Sequence, residues 1–430
     1  MEFTFDNQAL SIIRFLYGNE VDVIQRQTKR YGEALNRFSE LFGKRDREIQ
    51  IYSTPGRTEI GGNHTDHNHG KVLAGGVNLD SIGIAGRRDD GVIKCYSKGY
   101  EKPFVVDLDH LEPKTSEEGS TNALIRGIAA RLSELGYNIG GFDAYIDSEV
   151  LPGSGLSSSA SIEVLLGTIL NYLYNAGEVP EEELAKIGQY AENVFFGKPC
   201  GLMDQMACAI GGFVSIDFED VDNPKIEKID FDIKEQGYNL IVVDTGGNHS
   251  DLTDDYAAIP GEMKAVAGAL GANVCRELSM EILIENIPIL REKLGDRAIL
   301  RAMHFFAENE RVVAQAEALK REDFISFLRL VNESGSSSWR WLQNCFTTHS
   351  PREQGITLGL ALTEQFMKDN NIEGACRVHG GGFAGTMQVF MPKDFTSQYK
   401  SSIENVFGKG TVNILNIRKH GTICVMKTFL

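Results

Sequence analysis

No run of about eighteen apolar residues occurs in the chain, so no membrane-spanning helix is expected. The opening segment Met1-Glu-Phe-Thr-Phe-Asp6 lacks a basic n-region, and a secretory leader is not expected either. Cysteine offers no framework: seven residues, an odd number, are scattered at 95, 200, 208, 275, 345, 376 and 424 with no Cys-x-x-Cys spacing. That is the usage of reduced thiols in a cytoplasmic protein rather than of a disulfide-stapled one. Basic charge is also short, with 43 Lys and Arg against 60 Asp and Glu, a net −17. An acidic chain repels phosphate backbones and anionic lipid, which excludes a general nucleic-acid or membrane partner. It leaves room for one local positive cradle around a small anion. Internal repeats, low-complexity tracts and long linkers are missing as well. What remains, 430 residues of which 42% are hydrophobic, can fill two or three ordinary cores.

The stretch Val150-Leu-Pro-Gly-Ser-Gly-Leu-Ser-Ser-Ser-Ala-Ser-Ile-Glu163 concentrates the chemistry. It follows an apolar run, 142–147, and passes into a helix predicted over 160–174. Its glycines let the backbone come close to a ligand, and a helix start presents unpaired N–H groups carrying about half a positive charge. The hydroxyls of Ser157, Ser158 and Ser159 add donors and a candidate metal ligand. No Gly-Lys-Ser/Thr follows, so this is not the common P-loop. Taken alone, the stretch reads equally as an anion cradle or as a plain Gly/Ser turn before a helix.

Along the chain, helical periodicity marks the first fifty residues through Leu10, Ile13, Leu16 and Tyr17, then Tyr31, Leu35, Phe38 and Phe42. Short strands are expected at 49–52, 72–73, 82–84, 92–93, 104–106 and 213–217, with helices at 122–135 and 181–193. The acidic stretch Asp220-Val-Asp-Asn-Pro224 reads as lying near a domain boundary. A strand at 240–244 then opens a half rich in helices, at 279–294, 296–319, 322–333 and 355–369, closed by strands at 383–391 and 422–426. The fold class is α+β in two packed domains, 45–225 and 226–430, preceded by a helical extension over 1–44.

Three further motifs stand out. The first is Pro55-Gly-Arg-Thr-Glu-Ile-Gly-Gly-Asn-His-Thr-Asp-His-Asn68, and the last is Arg377-Val-His-Gly-Gly-Gly-Phe-Ala-Gly-Thr386. Between them lies Gly197-Lys-Pro-Cys-Gly-Leu-Met-Asp-Gln205, just after Ala191-Glu-Asn193. Three imidazoles and a carboxylate fall within His64-Thr-Asp-His-Asn-His69, but their spacing matches none of the common zinc patterns. With the serine loop in its place among them, these motifs resemble those of the GHMP small-molecule kinases and, within that family, the galactokinases, from about residue 45 onward.

The resemblance implies a two-domain fold: an N-terminal domain like ribosomal protein S5, a ferredoxin-like C-terminal α+β domain, and a site in the cleft between them. It implies ATP-dependent phosphorylation of the anomeric hydroxyl of a galactose-type sugar, with Mg²⁺. Gly153, Ser154, Gly155, Leu156, Ser157, Ser158, Ser159 and Ala160 would cradle the nucleotide phosphates, and Ser158 or Ser159 with Glu192 would hold the metal. Asp204, set among Leu202, Met203 and Met206, would be the base or aligning acceptor for the sugar hydroxyl. Arg57 would keep Asp204 ionised and steady the transferring group. Asn63, His64, Asp66, Gly201 and Tyr256 would contact the sugar.

The chain also departs from the family. Galactokinases usually read Gly-Arg-x-Asn-Leu-Ile-Gly-Glu-His-Thr-Asp-Tyr where this chain reads Gly56-Arg-Thr-Glu-Ile-Gly-Gly-Asn-His-Thr-Asp-His67. The glutamate that the family turns to the hydroxymethyl end of the sugar becomes Asn63, an uncharged donor and acceptor. Gly61, in place of a branched residue, is expected to add room beside it. The arginines that normally follow the family's tyrosine are replaced by Ala257-Ala-Ile-Pro260. A galactokinase is therefore the leading expectation and a galacturonate 1-kinase the second. A sensor that binds sugar and ATP without reacting them comes third, disfavoured by the intact loop and by Arg57, Glu192 and Asp204.

Overall fold

The computed structural model describes residues 7–43, 47–150, 155–198, 200–247 and 252–429. Two helices, α1 (Asn7–Tyr17) and α2 (Val21–Phe42), precede strands β1 (Glu48–Gly61), β2 (Lys71–Arg87), β3 (Val92–Ser97) and β4 (Phe104–Asp107). Next come α3 (Thr121–Glu134), β5 (Phe142–Ser148), α4 (Ser158–Tyr174), α5 (Glu181–Tyr190), α6 (Met203–Ile210), β6 (Phe213–Asp217) and β7 (Lys225–Ile229). Then follow β8 (Tyr238–Asp244), α7 (Thr253–Ala269), α8 (Met280–Glu285), α9 (Ile287–Leu294), α10 (Asp296–Lys320) and α11 (Phe324–Ser337). The chain finishes with α12 (Gly355–Asp369), β9 (Ala375–Val378), β10 (Thr386–Pro392), α13 (Lys393–Phe407), β11 (Val412–Leu415) and β12 (Ile423–Phe429). The α+β class read from the sequence is what the structure has.

The strands form two sheets. The larger runs β12-β1-β2-β5-β3-β4, with β6 joined to β2 and β7 to β6; the smaller is β11-β8-β10-β9. Side chains of the larger sheet alternate between its faces, as the pleat requires. Ile49, Ile51, Ile82 and Ile84 join Tyr31, Leu35 and Phe38 of α2 in one core. Tyr52, Ala85, Ala144 and Ile146 join Leu165 and Ile169 of α4 in another. No helix among the described residues is long and apolar enough to cross a membrane.

The elements that position the site differ most from expectation. The strand expected at 49–52 continues to Gly61, and its pairing with β2 shifts register at Pro55 and Arg57. Proline has no N–H for the ladder, so the sequence pattern breaks where the strand only bulges. The segments expected at 72–73 and 82–84 are one long β2, their alternation masked by Gly75 and Gly76. The helix expected over 279–294 is broken at Asn286, just before Pro288, into α8 and α9. The expected 181–193 helix ends at Tyr190 and continues as a π turn, Ala191–Phe196. The strand expected from 383 starts at Thr386, because the glycines before it form the turn. The acidic stretch 220–224 is the turn between the paired strands β6 and β7.

One buried charge cluster fastens the helical extension to this sheet. The Asp80 carboxylate accepts hydrogen bonds from Arg30 Nη1 (2.6 Å), Tyr17 Oη (2.5 Å), Arg418 Nη1 (3.1 Å) and Ser53 Oγ. Burial pushes its carboxyl up, but the Arg30 and Arg418 guanidinium groups outweigh that and hold it below the usual range. Removing one member of such a set strands the others without compensation. Asp80→Ala should therefore destabilise the protein by about 3–5 kcal/mol. The urea unfolding midpoint measures this, and an unchanged midpoint would show that the cluster is not holding the extension.

Candidate active site

The bulge in β1 turns Arg57 toward the head of α4. Its Nε donates to Asp204 Oδ1 (2.6 Å) and its Nη2 to Asp204 Oδ2 (2.8 Å), a bidentate pair; its Nη1 donates to the carbonyl of Gly155. The Arg57 backbone N–H donates to Leu156 O at 3.0 Å. Asp204 stands in the first turn of α6 and also accepts the Ser157 hydroxyl. Burial raises the Asp204 carboxyl, but the adjoining Arg57 guanidinium more than offsets it, leaving a carboxylate held below its usual range. The Asp204 side chain is 32% exposed while Arg57 is only 9% exposed, so the carboxylate faces the open side of the pair.

The serine loop approaches this pair in left-handed geometry, with φ of 72° at Gly155 and 54° at Ser157. The first helical bond of α4 runs from Ser161 N to Ser157 O. The N–H groups of Ser158, Ser159 and Ala160 therefore head the helix without an intrahelical acceptor. A Cβ on Gly155 would lie 2.5 Å from Thr386 Oγ1 and 2.8 Å from His379 Nδ1, so the loop rests directly on the third motif. Gly153 and Ser154 lie outside the described residues.

The third motif binds the first through consecutive backbone carbonyls. Gly380 O accepts from Asn63 Nδ2 (2.7 Å), Gly381 O from His64 Nε2 (2.9 Å) and Asn344 Nδ2 (3.1 Å), and Gly382 O from Tyr256 Oη (2.9 Å). Burial holds His64 at about 4, so it is neutral and its proton sits on Nε2 facing that carbonyl. The Asp66 carboxylate lies against Gly201, where no Cβ would fit. His64, Tyr256 and Asn63 are thus gathered on one turn, and Asp66 on the segment that carries Asp204.

Two positions where the chain departs from the family, Asn63 and Gly61, are enclosed by protein. Asn63 turns no group of its amide to open space. It is fully buried, its Nδ2 also donates to Glu59 Oε1 (2.8 Å), and its Oδ1 accepts from Asn344 (2.7 Å) and Ser338 (3.3 Å). Every position on the amide is taken by protein. Gly61 opens no room, because the Gln315 side chain of α10 fills the place of its Cβ.

Ser159, not Ser158, is the serine that reaches Glu192 among the described residues, Oγ to Oε1 at 3.4 Å. Glu192 sits in the π turn, 3% exposed, and takes Lys198 Nζ at 3.0 Å. Gln205 Nε2 donates to Glu192 Oε2 (3.0 Å) and to Glu163 Oε2 (2.9 Å). Burial together with the neighbouring Glu192 pushes the Glu163 carboxyl well above its usual range. The sequence reading gave Glu163, Lys198, Gln205, Glu59, Arg377 and His379 no role, although all six stand within the motifs. Glu59 is paired with Arg377 Nη2 at 3.0 Å. His379 bridges Thr58 Oγ1 (3.0 Å) and Thr386 Oγ1 (3.1 Å).

The chain is similar to known proteins along most of its length. Residues 123–212 match the GHMP kinases N terminal domain, and residues 36–87 match the galactokinase galactose-binding signature. The chain is 30% identical over 379 residues to a galactokinase of Lactococcus lactis, covering 86% of this chain and 90% of that one. It is 31% identical to a galactokinase of Enterococcus faecalis, covering 84% and 89%. Its fold superimposes on the crystal structure of Lactococcus lactis galactokinase complexed with galactose with a TM-score of 0.77 at 26% identity, over 91% of this chain and 99% of the other. A mevalonate kinase structure, at 17% identity and a TM-score of 0.59 over 86% and 99% of the two chains, shares the fold.

The Glu59 carboxyl gives this network a titration signature. Burial raises it from the ordinary 4.5 to about 7 despite Arg377 and Arg57. A carboxyl raised on folding binds its proton more tightly in the folded state, so stability falls as pH rises between those two values. The thermal midpoint should therefore carry a downward slope from pH 5 to 7 that Glu59→Gln removes. Parallel slopes in the two proteins would contradict the assignment.

Proposed function

The chain belongs to the galactokinases, a branch of the GHMP kinases, and is a sugar kinase acting with a nucleotide phosphoryl donor; from that premise we propose that it transfers the γ-phosphoryl group of ATP to the anomeric hydroxyl of galactose, giving galactose 1-phosphate and ADP. One observation carries the assignment of the reacting residues. The bidentate Arg57–Asp204 pair is docked on the loop that heads α4, with its carboxylate toward the open side.

In the proposed reaction the sugar hydroxyl hydrogen-bonds to Asp204 beside Ser157. Phosphoryl transfer passes through a loose transition state in which the attacking oxygen forms its bond late. A carboxylate held below its usual range suits that course, since it orients the hydroxyl and takes up the proton as the oxygen–phosphorus bond forms. The bond from the γ-phosphorus to the bridging oxygen breaks, and ADP leaves. Charge spreading over the transferring oxygens meets the N–H groups of Ser158, Ser159 and Ala160 and the fixed charge of Arg57. Arg57 cannot release its proton, because the Asp204 carboxylate holds its guanidinium above the ordinary range against burial.

The donor set also fits Mg²⁺. This ion takes oxygen ligands, usually only one or two from the protein, and Glu192 with the Ser159 hydroxyl supplies one carboxylate and one hydroxyl beside the phosphate cradle. When bound it would neutralise phosphate charge. Lys198 and Gln205 orient the Glu192 carboxylate toward that role. The galacturonate reading rested on Asn63 meeting the sugar, and the buried, fully bonded amide gives it no support.

A coupled ADP-release assay across galactose, galacturonate, glucuronate, N-acetylgalactosamine, arabinose and glucose tests the proposal. Galactose should give the highest kcat/KM, and turnover of galacturonate without galactose would refute it. Asp204→Asn should lower kcat by about 10²–10⁴ while still binding galactose, and near-wild-type turnover would remove Asp204 from the chemistry. Glu192→Gln should raise the Mg²⁺ concentration needed for half-maximal rate by about tenfold, read from a metal titration at fixed ATP.

A further inference from the structure

A groove of about 520 Å³ lies between α10, α11 and the π turn Ser338–Leu342. Arg311, Arg329 and Arg340 line it, with Ser337 in its wall and Trp341 at its side. Two of the three arginines have carboxylate partners: Arg311 pairs with the buried Glu308, and Arg329 stands 3.9 Å from Glu333 on the rim. Glu373 also lines the groove. Arg340 has no carboxylate within ion-pair distance among the described residues, and its Nε makes only a long bond to Ser336 O, 3.4 Å.

Three short connections run from this groove to the peptide at Gly62–Asn63. Arg311 holds Glu308, whose Oε1 accepts the Gly62 N–H (3.0 Å) and the Ser334 hydroxyl (2.5 Å). Burial raises the Glu308 carboxyl, but the Arg311 and Arg377 guanidinium groups outweigh it and hold it below its usual range, so it is a carboxylate that depends on these neighbours. Ser337 bonds His304 Nδ1 (2.9 Å), and His304 Nε2 bonds Asn63 O (3.0 Å). A carbonyl can only accept, so Nε2 carries the proton and the Ser337 hydroxyl donates to Nδ1. Ser338 donates to Asn63 Oδ1 (3.3 Å) from the same π turn that carries Arg340 and Trp341. A π turn within a helix is an uncommon local structure that often marks a functional position.

We infer that this groove is a binding site for a phosphate monoester, held by Arg340 and Arg311 with its organic part against Trp341, and that its occupation weakens the grip of the first motif on the sugar. A guanidinium offers five donors in a planar fork that matches phosphate oxygens, which favours this ligand over a carboxylate-free apolar one. The volume exceeds that of a bare phosphate ion and leaves space for a small organic body. A phosphate drawing on Arg311 competes with Glu308 for the same guanidinium. The buried Glu308 then loses compensation, and the Gly62 N–H it holds is released from its present position. The site and the sugar are thereby linked with opposite sign.

The protein carries its own reporter, because its only two tryptophans, Trp339 and Trp341, both lie in this segment. Intrinsic fluorescence of the full-length protein is titrated with inorganic phosphate and with glucose 6-phosphate at constant ionic strength, using chloride as the control. The expected result is a saturable change at millimolar ligand or below, weakened about tenfold in Arg340→Gln, with unchanged turnover of that variant when phosphate is absent. Response to both ligands supports recognition through the phosphate alone; response to the ester only supports recognition of the organic part as well. No saturable change, or an equal one in Arg340→Gln, overturns the site. Saturating ester should also raise the KM for galactose about fivefold in the wild type, leave kcat within about twofold, and do neither in Arg340→Gln. That kinetic arm rests on the sugar-kinase reading, whereas the fluorescence arm does not. A fluorescence response without a KM effect overturns the linkage, and absence of any kinase activity overturns the functional reading alone.

Discussion

Burial of one guanidinium organises the centre of the molecule. Arg57 lies in a strand interior, where a lone positive charge would be strongly disfavoured. Asp204 takes two of its donors, Gly155 O a third, and its own backbone N–H fixes Leu156. Strand β1, the phosphate loop and helix α6 are consequently mutually dependent. A shift of any one leaves a charge or a donor unpaired, which costs more than the contact itself is worth. The same arrangement keeps a carboxylate ionised at the mouth of a cleft.

The glycine turn before β10 contributes to this centre through main-chain oxygens. The turn at 380–382 presents three successive carbonyls to Asn63, His64 and Tyr256, and this accounts for its run of glycines. Gly380 and Gly382 have φ of 66° and 82°, while a side chain on Gly381 would meet the Tyr256 ring. Recognition by backbone means that side-chain substitution cannot easily reproduce or retune it. The adjustable positions are the partners, and one of them, Asn63, is also bonded to Glu59.

Much of the fold was legible because its signals are local. Helix α12 was expected at 355–369 and is found there, and α10 was expected at 296–319 and extends one residue further. Helix α7 was not foreseen: Pro260 sits inside it and Gly261 and Gly268 dilute its apolar stripe. The site was legible where two motif residues meet, as Arg57 and Asp204 do although they are 147 positions apart. It was not legible where the partner belongs to no motif. His304, Glu308 and Gln315 all stand on α10 and are fully buried against the first motif. A helix pattern shows where a side chain points, but not which polar group it will meet. Asn63 shows this: the family's motif assigned it to the sugar, whereas its burial is set by residues more than two hundred positions away.

The larger sheet is completed late. Its outer strand β12 is the last of the described elements, paired with β1 at the other end of the chain. The buried Asp80 carboxylate has Arg30 at hand from the start but waits for Arg418. During ribosomal synthesis the first half therefore emerges with β1 as a bare edge and a partly compensated internal charge, and stays so until Arg418 and β12 have been made. Bare strand edges pair readily with other chains. A nascent chain of this kind needs chaperone shielding over the whole interval between the emergence of β1 and that of β12.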